Sequence, residues 1–244
     1  MRHDLFGSIS KTAVFCVAVL MQWPSAQAAT TNPADEATTI INGKSYPARW
    51  WASVPREKAY SWEVLPQDAG PGEVILSKRN ELGLLSNFSN TTFTLDGKTY
   101  PSLEGLWQMM LYPEGPEDER AKFPGLEWKY SRDQVSQMIA FEANAAGQLA
   151  RKNMDKMGIK WVTYQGKKMP YYVPEKGDHF DVIVRATRAK LAQNPKVREV
   201  LLETGDLKLR PDHHQPADAP PAWHYFDIYM DLRKELQTTG TLAK

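Results

Sequence analysis

The sequence predicts an α+β fold: a mainly helical, compact single domain with a small β-hairpin and strand element. Three observations predict it. The chain has 244 residues, 42% hydrophobic and 24% charged, enough apolar mass for one real core. Five segments place apolar residues at the 3.6-residue spacing of a helix face. Short β-branched or aromatic runs flank the dipeptides Asn42-Gly43 and Asp96-Gly97, whose residues supply the positive φ angles of two-residue hairpin turns. Thirty Lys and Arg balance 29 Asp and Glu, so no global field draws the chain to nucleic acid or anionic lipid.

Residues 1–28 are expected to be a signal peptide. Arg2 and Lys11 form a basic start, Thr12 to Met21 an apolar run, and Ala26-Gln27-Ala28 a small-x-small cleavage pattern. A bilayer-spanning helix needs about 20 apolar residues. This run is half that length and ends at Trp23-Pro24. Cleavage would remove Arg2, Lys11, Asp4 and the lone Cys16, leaving a neutral, thiol-free chain of 216 residues (244 less 28). The expected location is therefore outside the cytoplasm, periplasmic or secreted, with no stable membrane insertion after cleavage. Cysteine nucleophiles and thiolate metal sites are excluded on that reading.

Residues 29–72 read as an N-terminal extension: a small, polar leader to Thr39, a hairpin over Ile40 to Tyr46, and a boundary at the Pro- and Gly-rich Pro66 to Gly72. INGKSYP at Ile41 to Pro47 recurs as LDGKTYP at Leu95 to Pro101, which fits either a duplication or a common hairpin turn used twice. Neither copy is a phosphate-binding loop, because the glycine that motif requires is Thr38 in one and Thr92 in the other.

Glu73 to Ser77 and Thr91 to Leu95 are strand candidates. Ser102 opens a short helix that carries Leu103, Leu106, Trp107, Met110 and Leu111 on helical spacing, and Pro113 to Pro124 is a loop. A longer helix starts at Ser131, capped reciprocally with Gln134, and runs with Val135, Met138, Ile139, Ala146 and Leu149 on one face. Tyr164 to Gly177 reads as a loop, Phe180 to Leu191 as a helix, and Asn194-Pro195 as the start of another that ends at Gly205. A Pro- and His-rich stretch, Arg210 to Ala222, precedes a last helix from Trp223 to Leu236, and residues 238–244 form a tail.

Glu104, Trp107 and Gln108 fall at i, i+3 and i+4, on one face of the helix after Ser102. A carboxylate beside an aromatic ring and an amide can hold a ribose or a base and move a proton. The same glutamate also suits the positive end of a helix dipole with no ligand involved. Asp212, His213, His214 and Asp218 have metal-ligand chemistry but sit in a Pro-rich loop without the i, i+4 geometry of a helical site, so no metal is expected.

LLSNF at Leu84 to Phe88, DGKTYPSLEGLWQ at Asp96 to Gln108, RAKL at Arg188 to Leu191, VREVLLETGDLKL at Val197 to Leu209 and MDLR at Met230 to Arg233 occur in that order. Together they resemble the ordered motifs of the NADAR (YbiA-like) N-glycosidase family, over residues 73–237. The resemblance implies a mainly helical α+β domain that hydrolyses N-ribosyl bonds in ADP-ribosylated guanine or in phosphoribosylated aminopyrimidines, with no metal or organic cofactor. By the same resemblance, Glu104 is the central, catalytic glutamate. Asn87 and Phe88 belong to the substrate-binding SNF motif and Gln108 is the glutamine one turn on, with Trp107 flanking base or ribose and Asp212, Asp218 or Trp223 as candidates for the later position. The implied partner is a small nucleotide-like or ADP-ribosylated molecule, with nucleic acid entering only as a modified substrate.

Cleaving a ribosyl C–N bond builds positive charge on the sugar, which a neighbouring carboxylate stabilises while it orients water. The chain departs from the family pattern in three places. Leu103-Glu104-Gly105 stands where Ser-Glu-His is usual, Leu111 where a lysine is usual, and the Asp-x-x-Trp-Gly segment has no counterpart in Arg210 to Trp223. The rival expectation is therefore a binding module that keeps the pocket for a nucleotide or ADP-ribose-type ligand without hydrolysing it.

Overall fold

The computed structural model describes residues 37–242, so the signal-peptide reading of residues 1–28 lies outside the described residues. Eight short strands pair two by two. β1 (Thr38–Ile41) and β2 (Lys44–Pro47), β4 (Phe93–Leu95) and β5 (Lys98–Tyr100), and β6 (Trp161–Tyr164) and β7 (Lys167–Pro170) are antiparallel hairpins. β3 (Glu73–Ile75) runs parallel to β8 (Lys208–Arg210). Around them pack α1 (Leu103–Met109), α2 (Arg132–Ser136), α3 (Ala140–Met157), α4 (Asp178–Gln193), α5 (Pro195–Glu203) and α6 (Tyr225–Thr239). The α+β, mainly helical expectation holds. Among the described residues no helix is long and apolar enough to cross a membrane.

The hairpin turns share one chemistry. Asn42-Gly43, Asp96-Gly97 and Gln165-Gly166 all take positive φ at both central positions, as the twist of a two-residue hairpin requires. The same pattern recurs in a third hairpin, YQGKKMP at Tyr164 to Pro170, which shares the Gly-Lys pair and the closing proline of INGKSYP and LDGKTYP. That third hairpin corrects the expected loop from Tyr164 to Gly177, where Gln165 gave a weaker turn signal than Asn or Asp.

Residues 37–72 do not stand apart. They belong to one compact unit with the remainder of the described chain. Tyr46, Trp50 and Leu65 are buried in the core. The Trp50 indole N–H donates to Glu81 Oε1 at 2.5 Å and that of Trp51 to the Glu73 carbonyl at 3.0 Å. Pro66–Asp68 is a 3-10 turn inside the unit, not a domain boundary.

The helix expected from Ser131 is two helices. The Ser131–Gln134 capping box forms as expected, but α2 ends at Ser136 and α3 restarts at Ala140, which has a φ of +48°. The break is where α1 packs. The Ser102 hydroxyl donates to the Met138 carbonyl at 3.0 Å, and a β-carbon on Gly105 would come within 2.5 Å of that same oxygen. Only glycine allows this approach. On α3 the buried stripe is Ala143, Ala146, Gly147, Ala150 and Met154, and Leu149 is 37% exposed. Its apolar character was misleading about which face is inward.

Two arginines, buried Arg120 and part-buried Arg132, hold the C-terminal end of α1. Arg120 donates to the Met110 carbonyl at 3.0 Å, and Arg132 to those of Met109 and Tyr112 at 3.1 and 2.8 Å. Cations there satisfy carbonyls that the helix leaves unpaired and complement its dipole. At the other end the Ser102 hydroxyl accepts the Gly105 N–H at 2.9 Å. Helix α1 is seven residues long and every one is buried, so it is fixed by its surroundings at both ends.

Candidate functional site

Helix α1 places Glu104 and Gln108 one turn apart. Gln108 Nε2 donates to Glu104 Oε1 at 2.7 Å, and Asn144 Nδ2 of α3 approaches the same oxygen at 3.4 Å. Gln108 is itself oriented, its Oε1 accepting from Arg151 Nη1 at 3.2 Å. No donor among the described residues reaches Glu104 Oε2, which leaves one carboxylate oxygen held and the other available. Glu104 is only 5% exposed. Burial pushes its carboxyl above the usual carboxylate range, against the opposing pull of Gln108, Asn144, Arg151 and Lys78.

The loop carrying Asn87 and Phe88 is tied to this helix. The Asn87 carbonyl accepts the Glu104 N–H at 2.9 Å. Asn87 Oδ1 is buried and has no hydrogen-bond partner, a costly state. Beneath the loop, fully buried Lys190 donates to the Ser86 carbonyl at 3.0 Å and to Ser89 Oγ at 2.7 Å. With no carboxylate bonded to it, burial lowers its ammonium to about 7.

Asp212 is brought to the site by Lys78, whose Nζ donates to Asp212 Oδ2 at 2.5 Å. Burial alone would raise the Asp212 carboxyl, but His213 and Lys78 outweigh it and hold it below the usual range. Lys78 also sits 5.1 Å from the Phe88 ring centroid and 5.3 Å from that of Trp62. Arg151 and Lys78 are the cations that pull the Glu104 carboxyl down against its burial. His214 and Asp218 do not join the site, and among the described residues no group of three His, Cys, Asp or Glu is arranged to hold a metal ion.

Trp107 is placed differently from the expectation that it flanks a base. It is 6% exposed, donates its indole N–H to Tyr171 Oη at 2.8 Å, and meets His179 edge to face at 5.0 Å. At i+3 from Glu104 it turns into the Tyr171–His179 cluster and offers no open face. The accessible aromatic wall is Phe88 with Phe141, whose rings cross at 86° and 5.2 Å, and then Trp62. Sequence reasoning missed Lys78, Asn144, Arg151, Trp62 and Phe141. The signal that could have found two of them is the i, i+3, i+7 set Asn144, Gly147 and Arg151, a polar stripe with a glycine at its centre on an otherwise alanine-rich face.

The departures from the family pattern acquire a local explanation. Gly105 allows the close approach of α1 to the Ser136–Met138 turn, where any side chain would collide with backbone. Leu111 is fully buried in the core, so no cation occupies that position.

No family model matches the chain, and no curated protein matches it. Among solved structures, the NMR structure of the E. coli protein YbiA is similar at a TM-score of 0.41 and 20% identity, covering 67% of this chain and 83% of that one.

Proposed function

We propose that the chain is a NADAR-like N-glycosidase that hydrolyses an N-ribosyl bond, with Glu104 as the catalytic carboxylate. The observation that carries the reading is the asymmetric environment of Glu104, with Oε1 held by Gln108 and Asn144 and Oε2 free in a buried site. The motifs behind the resemblance also converge in space. The SNF loop accepts the Glu104 N–H, Lys190 of RAKL holds the Ser86 carbonyl, and Arg233 of MDLR donates to Thr204 Oγ1 at 2.6 Å and the Leu207 carbonyl at 2.8 Å in the TGDL segment.

In the proposed reaction the C1′–N bond breaks and the base leaves with its electron pair. Glu104 Oε2 stabilises the positive charge that develops on the sugar, and a water adds to C1′. Glu104 takes the water's proton and passes it to the departing base. A carboxyl raised by burial is a stronger base than an exposed one, which suits it to that transfer. Asn87 Oδ1 would accept a ribose hydroxyl, and Phe88 would lie against the base or ribose.

The substrate class proposed is an ADP-ribosylated base or a phosphoribosyl-aminopyrimidine. The leader at residues 1–28 supports a location outside the cytoplasm, which favours the first; mass spectrometry of the N-terminus of exported material tests that location. A binding module without hydrolysis is the second reading, favoured by the pairing of Asp212, the other carboxylate at the site, with Lys78, which leaves Glu104 without a free carboxylate partner of the kind most glycosidases use. Incubating the protein with ADP-ribosylated DNA and with ribosylaminopyrimidine phosphates separates the readings. Released free base supports the hydrolase, and saturable binding without release supports the module.

A further inference from the structure

Two further aromatic residues, outside the segment that resembles a known family, stand rigidly beside the site. The rings of Tyr60 and Trp62 stack at 5.4 Å with 8° between their planes. Their turn is clamped from several sides. Glu63 Oε2 accepts the Tyr60 N–H at 3.3 Å, the Arg79 guanidinium bonds both Glu63 oxygens at 2.6 and 2.7 Å, and the Val64 N–H donates to the Asp212 carbonyl at 2.8 Å. Tyr60 is nevertheless 56% exposed and Phe141 46%. Exposed aromatic rings held this firmly, next to a nucleotide-type site, match the way proteins stack bases, because any base presents a π-face.

We infer that Tyr60, Trp62 and Phe141 form a second aromatic subsite, which stacks a nucleobase joined through phosphate to the ribosyl group at Glu104. The inference rests on the reading of Glu104 as the ribosyl-binding group. Continuity supports it: Trp62 meets Phe141 at 6.0 Å, and Phe141 meets Phe88 at 5.2 Å, so one aromatic wall runs from the glutamate pocket to Tyr60. Charge supports it as well. Lys78 Nζ is 5.3 Å from the Trp62 ring centroid and 5.1 Å from that of Phe88, and donates to Asp212. An ammonium has three donors and Asp212 takes one, which leaves Lys78 able to donate to a phosphate that joins two nucleosides. A molecule with a single base and ribose would leave this wall empty.

Calorimetry on the full chain carrying Glu104→Gln, which binds without turnover, tests the inference with AMP, the 3′,5′-linked dinucleotide ApA and the 5′,5′-linked diadenosine diphosphate. At least one two-base probe is expected to bind tenfold or more tighter than AMP, about 1.4 kcal/mol. Adding Trp62→Ala should remove that gain and leave AMP within twofold. Tyr60→Ala, at an exposed position, should remove at least threefold of it and decides the matter if Trp62→Ala does not fold. A gain with ApA identifies a neighbouring base in a nucleic-acid strand, and a gain with the 5′,5′ probe a free dinucleotide. Two-base probes that bind no tighter than AMP, or a gain that survives both substitutions, would overturn the subsite while the Glu104 reading stands. If AMP and both dinucleotides fail to bind, the subsite falls, and release of free base from the ribosylated substrates decides the Glu104 reading separately.

Discussion

Gln108 lies directly over Gly147: a β-carbon on that glycine would be 1.7 Å from Gln108 Oε1. The amide that orients Glu104 therefore needs a hole in α3, one turn before the Arg151 that bonds the same oxygen. Gly147→Ala should displace Gln108 and misplace Glu104, lowering activity on the order of 10²-fold. Its stability should change by less than about 1 kcal/mol, because the helix propensity that alanine brings offsets the broken Gln108–Arg151 hydrogen bond. Steady-state rates and urea unfolding on the same sample check both halves.

The Lys78–Asp212 pair is nearly dry, with side chains 13% and 2% exposed. Removing one partner leaves a buried charge without its counterpart, so Asp212→Asn should cost about 3 kcal/mol or more, and Lys78→Met a similar amount. The double variant should cost clearly less than the sum of the two, since both charges then go together. Urea titrations of the four proteins give the coupling energy. Asp212 also predicts the acid limb: its carboxyl is held low in the folded state, so its stabilisation is present above the usual Asp range and lost as pH falls through the depressed value.

Lys190 should set a slope on the alkaline side. Its ammonium titrates near 7 when folded and near 10.4 when unfolded, so between those values the unfolded chain binds more protons and stability rises with pH. Melting temperatures of the parent from pH 7 to 9 should climb relative to those of Lys190→Met, in which the slope disappears. Tyr112 and Tyr171, each pushed up to about 12 by burial, turn the dependence the other way only above pH 10.

Glu104 makes the opposite contribution. Its carboxyl is raised by burial, so the folded state holds the proton longer than the unfolded chain, and stability falls as pH rises through that interval. Glu104→Gln should consequently melt higher than the parent at pH 7, with the difference shrinking as the pH approaches 4.5. A lower melting temperature for the variant at pH 7 would contradict a desolvated carboxylate at that position.

The fold class was legible because α4, α5 and α6 carry their apolar residues at helical spacing, with Asn194-Pro195 marking the start of α5. The break between α2 and α3 was not, because it is imposed by Ser102 and Gly105 from a different helix. The place of residues 37–72 was obscured by the Pro and Gly of Pro66 to Gly72, whereas Trp50 and Leu65 cross-link that segment to the core. Within the site, Glu104, Gln108 and Asn87 were named from motifs and lie together, while Asp212, one of three candidates for a position the motif did not mark, is joined to them by Lys78. Lys78, Asn144 and Arg151 were not named, because each reaches the glutamate pocket through tertiary packing that local spacing does not encode.

The central claim is that Glu104 performs the chemistry. Its most direct measurement is single-turnover release of free base from the ribosylated substrate by the parent and by Glu104→Gln, with substrate affinity measured alongside. The account predicts a rate at least about 10²-fold lower for the variant, with affinity within a few-fold, because the lost interaction is one made in the transition state. Base release by Glu104→Gln at a rate within threefold of the parent would contradict it.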